Sequence, residues 1–156
     1  MCDVDLPSLL MLVGRGLEEY VVDRMREQGY ATIRASHGYV FQRLLVATPT
    51  ITELALDLGI TQQGASKSVA ELETLGYVER RVADHDSRVR TVHLTDRGHQ
   101  AIAAGRAVRA EFLSRLSDTV SADELAGATR TATATASLLG LDQAIAGRSV
   151  PLPAGD

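Results

Sequence analysis

The chain has no tryptophan, two phenylalanines and four tyrosines, so aromatic residues make up only 4% of it. A core without large rings must be built from Leu, Val, Ile and Ala, which favours helices over a sandwich or barrel. Cysteine is equally scarce. The single Cys2 excludes an intrachain disulfide framework and a Cys-based zinc site. No apolar run approaches ~18 residues, so no membrane-spanning helix is expected. The opening, MCDVDLPSLLMLVG, places acids where a secretory leader would place Lys or Arg. An excess of positive charge is missing too, since the formal net charge is −4. That excludes a basic, non-specific nucleic-acid coat, but not a reader with locally placed charge. These absences describe a reduced, cytoplasmic chain of 156 residues, enough for one sizeable core.

What is present concentrates between Thr50 and Gly98. Thr50-Ile51-Thr52-Glu53 is a capping box, in which the Thr50 hydroxyl accepts from the Glu53 N–H and the carboxylate reaches back. Ile51, Leu54, Ala55 and Leu58 form the inner face of a short helix. Gly59 supplies a tight turn, Ile60 fills its corner, and Thr61 caps the next helix. Ala65, Val69 and Leu72 then face inward, which leaves Gln62, Gln63, Ser66 and Lys67 outward near the helix start; Gly76 ends the helix. Short polar side chains can donate and accept at base edges, and a helix start suits a phosphate. An ordinary solvated face has the same composition.

The following hairpin decides between the two. Tyr77–Val82 and Arg90–Leu94 alternate β-branched or aromatic residues around a polar loop, 83–88. Val78, Val82, Val92 and Leu94 are expected in the core. Asp86 and Arg88 lie two apart at the tip, where a carboxylate can hold the loop or orient a guanidinium. An arginine on a protruding loop suits a narrow minor groove; the bland alternative is a surface salt bridge of little worth. Arg90, beside it, is grouped with the DNA contacts. Helix, turn, helix and hairpin in this order are a winged helix-turn-helix, which lays one helix in the major groove.

The flanks read as long amphipathic helices. Residues 1–6 are expected to be loose, with Pro7 in a first turn. Leu9, Leu10, Leu12, Val13, Leu17, Tyr20, Val21 and Met25 recur at helical spacing up to Gly29. That stripe is wide enough to face both its own domain and a partner chain. A second helical pattern covers 31–47, with Ile33, His37, Val40, Phe41, Leu44 and Leu45, and stops at Thr48-Pro49. His37 on this stripe reads first as a core histidine bonded to a carbonyl or hydroxyl, and second as a polar contact for a small molecule. Thr95 caps a helix over 96–117, faced by Ile102, Val108, Phe112, Leu113 and Leu116. Ser121 and Glu124 form a second capping box, opening an Ala/Thr-rich helix to Leu139 that suits close packing at an interface.

The expected fold is therefore mainly α with a small β-hairpin wing. Residues 1–30 form an N-terminal dimerisation helix, 31–98 the winged helix-turn-helix, 99–145 the C-terminal dimerisation helices, and 146–156 a flexible tail. There is no Gly-rich phosphate loop, nucleophile elbow or HExxH-type site, and His85, His93 and His99 share no clear helical face. No enzymatic activity, metal or cofactor is expected.

The run LALDLGITQQGASKSVAELETLGYVERR, followed by DHDSRVRTVHLTDRG, resembles the MarR family of bacterial transcription regulators. The local likeness covers about 48–98, and the helix order agrees over nearly the whole chain. The resemblance implies a triangular homodimer on a palindromic operator and a repressor released by a small, often aromatic or phenolic effector. It implies that Gln62, Gln63, Ser66 and Lys67 read the major groove, that Arg88 enters the minor groove, and that Asp86 supports the wing. It also implies an effector cleft between the dimer helices and the DNA-binding lobe, for which His37, Arg15 and Tyr39 are candidates. Two departures stand out. Many members carry Arg at the position of Lys67, which makes contact there less bidentate. Cys2 lies before the first long helix, without the aromatic neighbours of redox-sensing members. The competing reading is a winged-helix protein-interaction module with an unused DNA face, motivated by the acidic net charge.

Overall fold

The structure, a computed structural model, describes residues 4–30, 32–83 and 86–150. It is mostly helical: α1 (Leu6–Glu27), α2 (Ala35–Leu44), α3 (Ile51–Leu58), α4 (Gln62–Thr74), β1 (Val78–Ala83), β2 (Asp86–Leu94), α5 (Asp96–Ser117), α6 (Ala122–Leu138) and α7 (Asp142–Ala146). The two strands pair antiparallel, Val78 with Leu94 through Val82 with Arg90, and form the wing. No helix among the described residues is long and apolar enough to cross a membrane.

The core is the meeting of α2, α3, α4 and the base of the wing. Val40, Leu54, Leu58, Ala65, Val69, Leu72 and Tyr77 lose all solvent exposure there. Tyr77 is its hub, with the Phe41 ring edge-on at 5.9 Å and the Arg97 guanidinium 5.0 Å from its centroid. Local chemistry sets the boundaries. The Thr50–Glu53 box opens α3, with Glu53 N–H to Thr50 Oγ1 at 3.2 Å and Thr50 N–H to Glu53 Oε2 at 2.8 Å. Gly59 turns the chain at φ +64, and Thr61 Oγ1 accepts from Gly64 N–H at 3.1 Å to open α4. One further bond, Val92 N–H to Pro49 O at 2.9 Å, pins β2 to the segment before α3.

Several boundaries and faces differ from the sequence reading. Residues 4–6 are not loose: Asp5 accepts from Ser8 N–H at 3.0 Å, so α1 starts at Leu6. The helical pattern of 31–47 shrinks to α2, because Arg34 is an extended N-cap; Ile33 is buried from the loop instead. Val82 is exposed rather than in the core, although it pairs in register with Arg90 on the face of Val78; the register shift comes only after it, where Ala83 is buried. The same shift carries β2 back to Asp86, four residues earlier than the alternation suggested. Leu113 and Leu116 of α5 are exposed, and the buried face is Gly98, Ala101, Ile102, Gly105 and Val108. The described part of the tail is ordered into contacts. Gly140 reverses the chain at φ +69, α7 follows, and Arg148 Nη1 donates to Gln42 Oε1 at 2.6 Å. Residues 151–156 and Cys2 lie outside the described residues.

Packing is uneven along the long helices. Met25 at the end of α1 is buried, and Tyr20 meets Phe112 of α5 edge-on at 5.3 Å. Leu9, Leu12 and Val13, in the first half of α1, stay exposed. So do Leu113 and Leu116 at the end of α5 and Leu138 and Leu139 at the end of α6. No residue of α6 is buried. Thr129, Thr131, Thr133 and Thr135 return their hydroxyls to the carbonyls one turn back, at 2.9–3.1 Å. Those four hydroxyls are thereby satisfied within the helix.

Candidate nucleic-acid interface

The outer face of α4 is defined by what its inner face buries. Ala65, Val69 and Leu72 are sealed in the core, so Gln63 and Lys67 stand fully outward at the first two turns, with Ser66 half-buried beside them. Gln62 is exposed as well, but its amide donates to Thr52 Oγ1 on α3. Gln62 thus ties the two helices together. The first turn of α4 contains no carboxylate. Its free N–H groups and the positive end of the helix dipole therefore face solvent beside Lys67.

Three carboxylates of the lobe are held in ion pairs. Glu71 is bonded to Arg34, Glu73 Oε2 lies 3.5 Å from Arg80 Nε, and Asp57 is bonded to Arg43. This placement reconciles the acidic net charge with an anion-receptive surface. At the wing, Asp86 Oδ1 accepts the Arg88 backbone N–H at 2.9 Å. The aspartate therefore holds the loop, and the Arg88 side chain is left exposed. Arg90 is exposed next to it, while Arg81 folds onto Glu79 at 2.8 Å. Asp84 and His85 of the predicted tip lie outside the described residues. Among the described residues no three His, Cys, Asp or Glu side chains cluster to hold a metal.

The three cleft candidates part company. His37 is 1% exposed and belongs to the core. Its Nδ1 accepts the Arg34 backbone N–H at 3.4 Å, closing a capping box, and this replaces the expected bond to a carbonyl or hydroxyl. Nε2 is buried without a hydrogen bond, 3.7 Å from Glu71 Oε2. Burial, helped by the Arg34 charge, lowers the imidazole to a pKa of about 4. Arg15 is exposed on α1 and paired with Glu19 at 3.0 Å. Tyr39 alone reaches a cavity, where its hydroxyl donates to Glu18 at 2.8 Å.

That cavity, about 860 Å³, opens between α1, α2 and α5 and is lined largely by apolar side chains, among them Leu17, Val21, Met25, Phe41, Ile102 and Phe112. Its charged groups are Glu18, Arg34, Arg109 and Arg148. The pKa of Arg109 is lowered from the ordinary arginine value by partial burial and then by Arg106. Sequence reasoning missed Arg109, Ile145 and Arg148. They reach the cavity from the far end of the chain, and no local pattern marks them.

Residues 43–89 match the MarR family. The transcriptional repressor MprA of Escherichia coli is 39% identical over 49 residues, a stretch that covers 31% of this chain and 28% of that repressor. The Staphylococcus aureus transcription regulator MepR superposes with a TM-score of 0.69 at 17% identity, over 87% of this chain and 99% of MepR. Streptococcus pneumoniae FabT, solved in complex with DNA, superposes with a TM-score of 0.66 at 20% identity, over 83% and 93% of the two chains. At these identities the superpositions speak for the fold, and the sequence match speaks for the segment that carries α3, α4 and the wing. The segment that carries α3, α4 and most of the wing matches the MarR family, and the chain as a whole shares the fold of MepR and FabT.

Proposed function

We propose that the chain is a sequence-specific transcriptional regulator that binds a palindromic site on double-stranded DNA as a homodimer. The observation that carries this reading is the charge layout of the lobe. Gln63, Lys67, Arg88 and Arg90 are exposed on α4 and the wing, while Glu71, Glu73 and Asp57 are paired away from them. In this arrangement Gln62, Gln63, Ser66 and Lys67 read the major groove, Arg88 and Arg90 reach the adjoining minor groove and backbone, and Asp86 supports the wing. The likeness to the repressor MprA and to DNA-bound FabT favours this role, with repression as its sign.

A second copy is the occupant of the exposed apolar faces. Leu9, Leu12, Val13, Leu113, Leu116, Leu138 and Leu139 lie on the parts of α1, α5 and α6 that the lobe leaves uncovered. Each is worth ~1.5–3 kcal/mol when fully buried. Two copies joined there present two α4 helices, as a palindrome requires. The cavity between α1, α2 and α5 joins the dimer helices to the lobe. A small apolar effector seated there, Tyr39 included in its wall, changes DNA affinity only by preferring one spacing of the lobes.

The test is fluorescence anisotropy of the full chain on duplex DNA from upstream of its own gene, at low salt. Wild type is expected to bind, and Lys67→Ala with Arg88→Ala to lose at least tenfold in affinity. Their loss should also flatten the dependence on salt, since each copy gives up two phosphate or groove contacts. Wild type that binds no DNA under these conditions, while retaining a protein partner unaffected by both substitutions, would favour the interaction-module reading instead.

A further inference from the structure

Thr52 and Gln62 are exposed on consecutive helices, and the Gln62 side-chain amide donates to Thr52 Oγ1 across the turn between them. The elements that carry the two residues are fixed. Thr52 is in the first turn of α3, whose Leu54, Ala55 and Leu58 are buried. Gly59, at φ +64, and the Ile60 N–H, bonded to Ala55 O at 3.0 Å, close the turn. Gln62 is the first residue of α4, and Ala65 and Val69 seat that helix in the core. The neighbouring hydroxyls are engaged in capping: Thr50 Oγ1 accepts Glu53 N–H at 3.2 Å, and Thr61 Oγ1 accepts Gly64 N–H at 3.1 Å. The next residue, Gln63, is exposed and makes no hydrogen bond among the described residues. Two adjacent glutamines thus differ. One amide is held before any partner arrives, and the other can turn.

We propose that Gln62 reads an adenine in each half-site, and that Thr52 is the positioning residue that orients the Gln62 amide for that contact. A primary amide has two N–H groups and one oxygen. With one N–H held by Thr52, the other N–H and the oxygen remain for a base edge. Adenine alone among the four bases presents an acceptor, N7, beside a donor, N6–H, in the major groove. Guanine presents two acceptors there, N7 and O6, so the amide oxygen would face a like partner. The location suits the role, because residues at the start of a recognition helix contact base edges. The bond to Thr52 also means that Gln62 gives up its rotamer freedom before DNA arrives, so less is lost on binding. Thr52 itself needs no contact with a base. The proposal rests on the DNA-binding reading above, and it names one base of the site that this reading leaves open.

The experiment is selection from a random duplex pool, read by sequencing, with the full chain as wild type, Gln62→Ala, Thr52→Val and Thr52→Ser. Both positions are exposed, so the variants are expected to fold as wild type does. Wild type is expected to favour adenine over guanine about tenfold at one position of each half-site. Gln62→Ala is expected to erase that preference, and Thr52→Val to reduce it to about threefold or less, with the other positions unchanged. Thr52→Ser, whose hydroxyl can still accept from the amide, is expected to keep the wild-type profile. Confinement to one position separates orientation of the amide from support of the fold, which would weaken binding to every sequence alike. A Thr52→Val profile equal to wild type, or one flattened evenly across the site, would overturn the positioning role. A Gln62→Ala profile that keeps the adenine would overturn the contact. In either case an enriched palindrome leaves the regulator standing. A wild type that enriches no sequence removes the regulator and this contact together.

Discussion

Gly98 of α5 sits so close to Tyr77 that a Cβ on it would lie 2.2 Å from the Tyr77 carbonyl oxygen. The same carbonyl accepts Thr95 N–H at 3.1 Å, and Thr95 Oγ1 donates to Gly76 O at 2.6 Å. The N-terminus of the long helix is thus clamped backbone to backbone on the start of the wing. Gly98→Ala is expected to cost ~2–3 kcal/mol, since neither backbone can yield alone. Gly105→Ala is the control. Its Cβ would meet the flexible Met25 Sδ at 3.2 Å, and helix propensity gains ~1 kcal/mol, so the net change should be small. Urea unfolding midpoints of the two variants check this directly.

His37 makes the fold sensitive to mild acid. The groups facing it are Arg34, on its own segment, and Glu71, which reaches in from α4 and is itself bonded to Arg34. Its pKa is about 4 in the folded chain against 6.5 ordinarily, so the unfolded chain takes up the proton first. The contribution is complete above about pH 6.5 and is lost as pH falls towards 4. Between pH 7 and pH 5, His37 alone is expected to remove ~2 kcal/mol of stability. His37→Gln, which can still accept the Arg34 N–H, should be less sensitive over that interval. The stabilising hydrogen bonds of Glu53 and Glu124 lower carboxyl pKa values from 4.5, so their loss falls below this window. Chemical unfolding of wild type and variant at both pH values gives the comparison.

How much was legible from the sequence follows the range of the interactions. The capping residues Thr50, Thr61, Thr95 and Ser121 act over three residues, and each is found where the pattern placed it. The buried triplet Ala65, Val69 and Leu72, and with it the outward face of α4, follows from helical spacing alone. Val82 keeps the alternation yet is exposed, because alternation sets the face of a strand and not how far along it the core extends. Ile33 kept its burial but lost its helix, since a loop can deliver an apolar side chain to the core as well as a turn of helix can. Leu113 and Leu116 continue the apolar pattern of α5 beyond the face that is buried, so helical spacing alone overstated the core. The cavity was beyond reach because Arg109 and Arg148 meet α1 and α2 only through the fold.

The exposed leucines carry the dimer prediction. Leu138 is 88% exposed and Leu12 63%, so aspartate at either position has no folded contact to break within one copy. Leu12→Asp with Leu138→Asp is expected to yield monomers by sedimentation or light scattering, with the circular dichroism of the lobe retained. DNA affinity should fall by at least a hundredfold, because one recognition helix contacts one half-site. A variant that remains dimeric would move the interface to another face.

Selection from a random duplex pool with the purified full chain tests the central claim most directly. The account predicts an enriched palindrome whose half-sites lie about one helical turn apart, ~34 Å centre to centre. It also predicts that the chain with Lys67→Ala and Arg88→Ala no longer enriches that palindrome. Enrichment of no sequence at low salt, or of a single unpaired half-site, would contradict a homodimer that reads DNA through α4 and the wing.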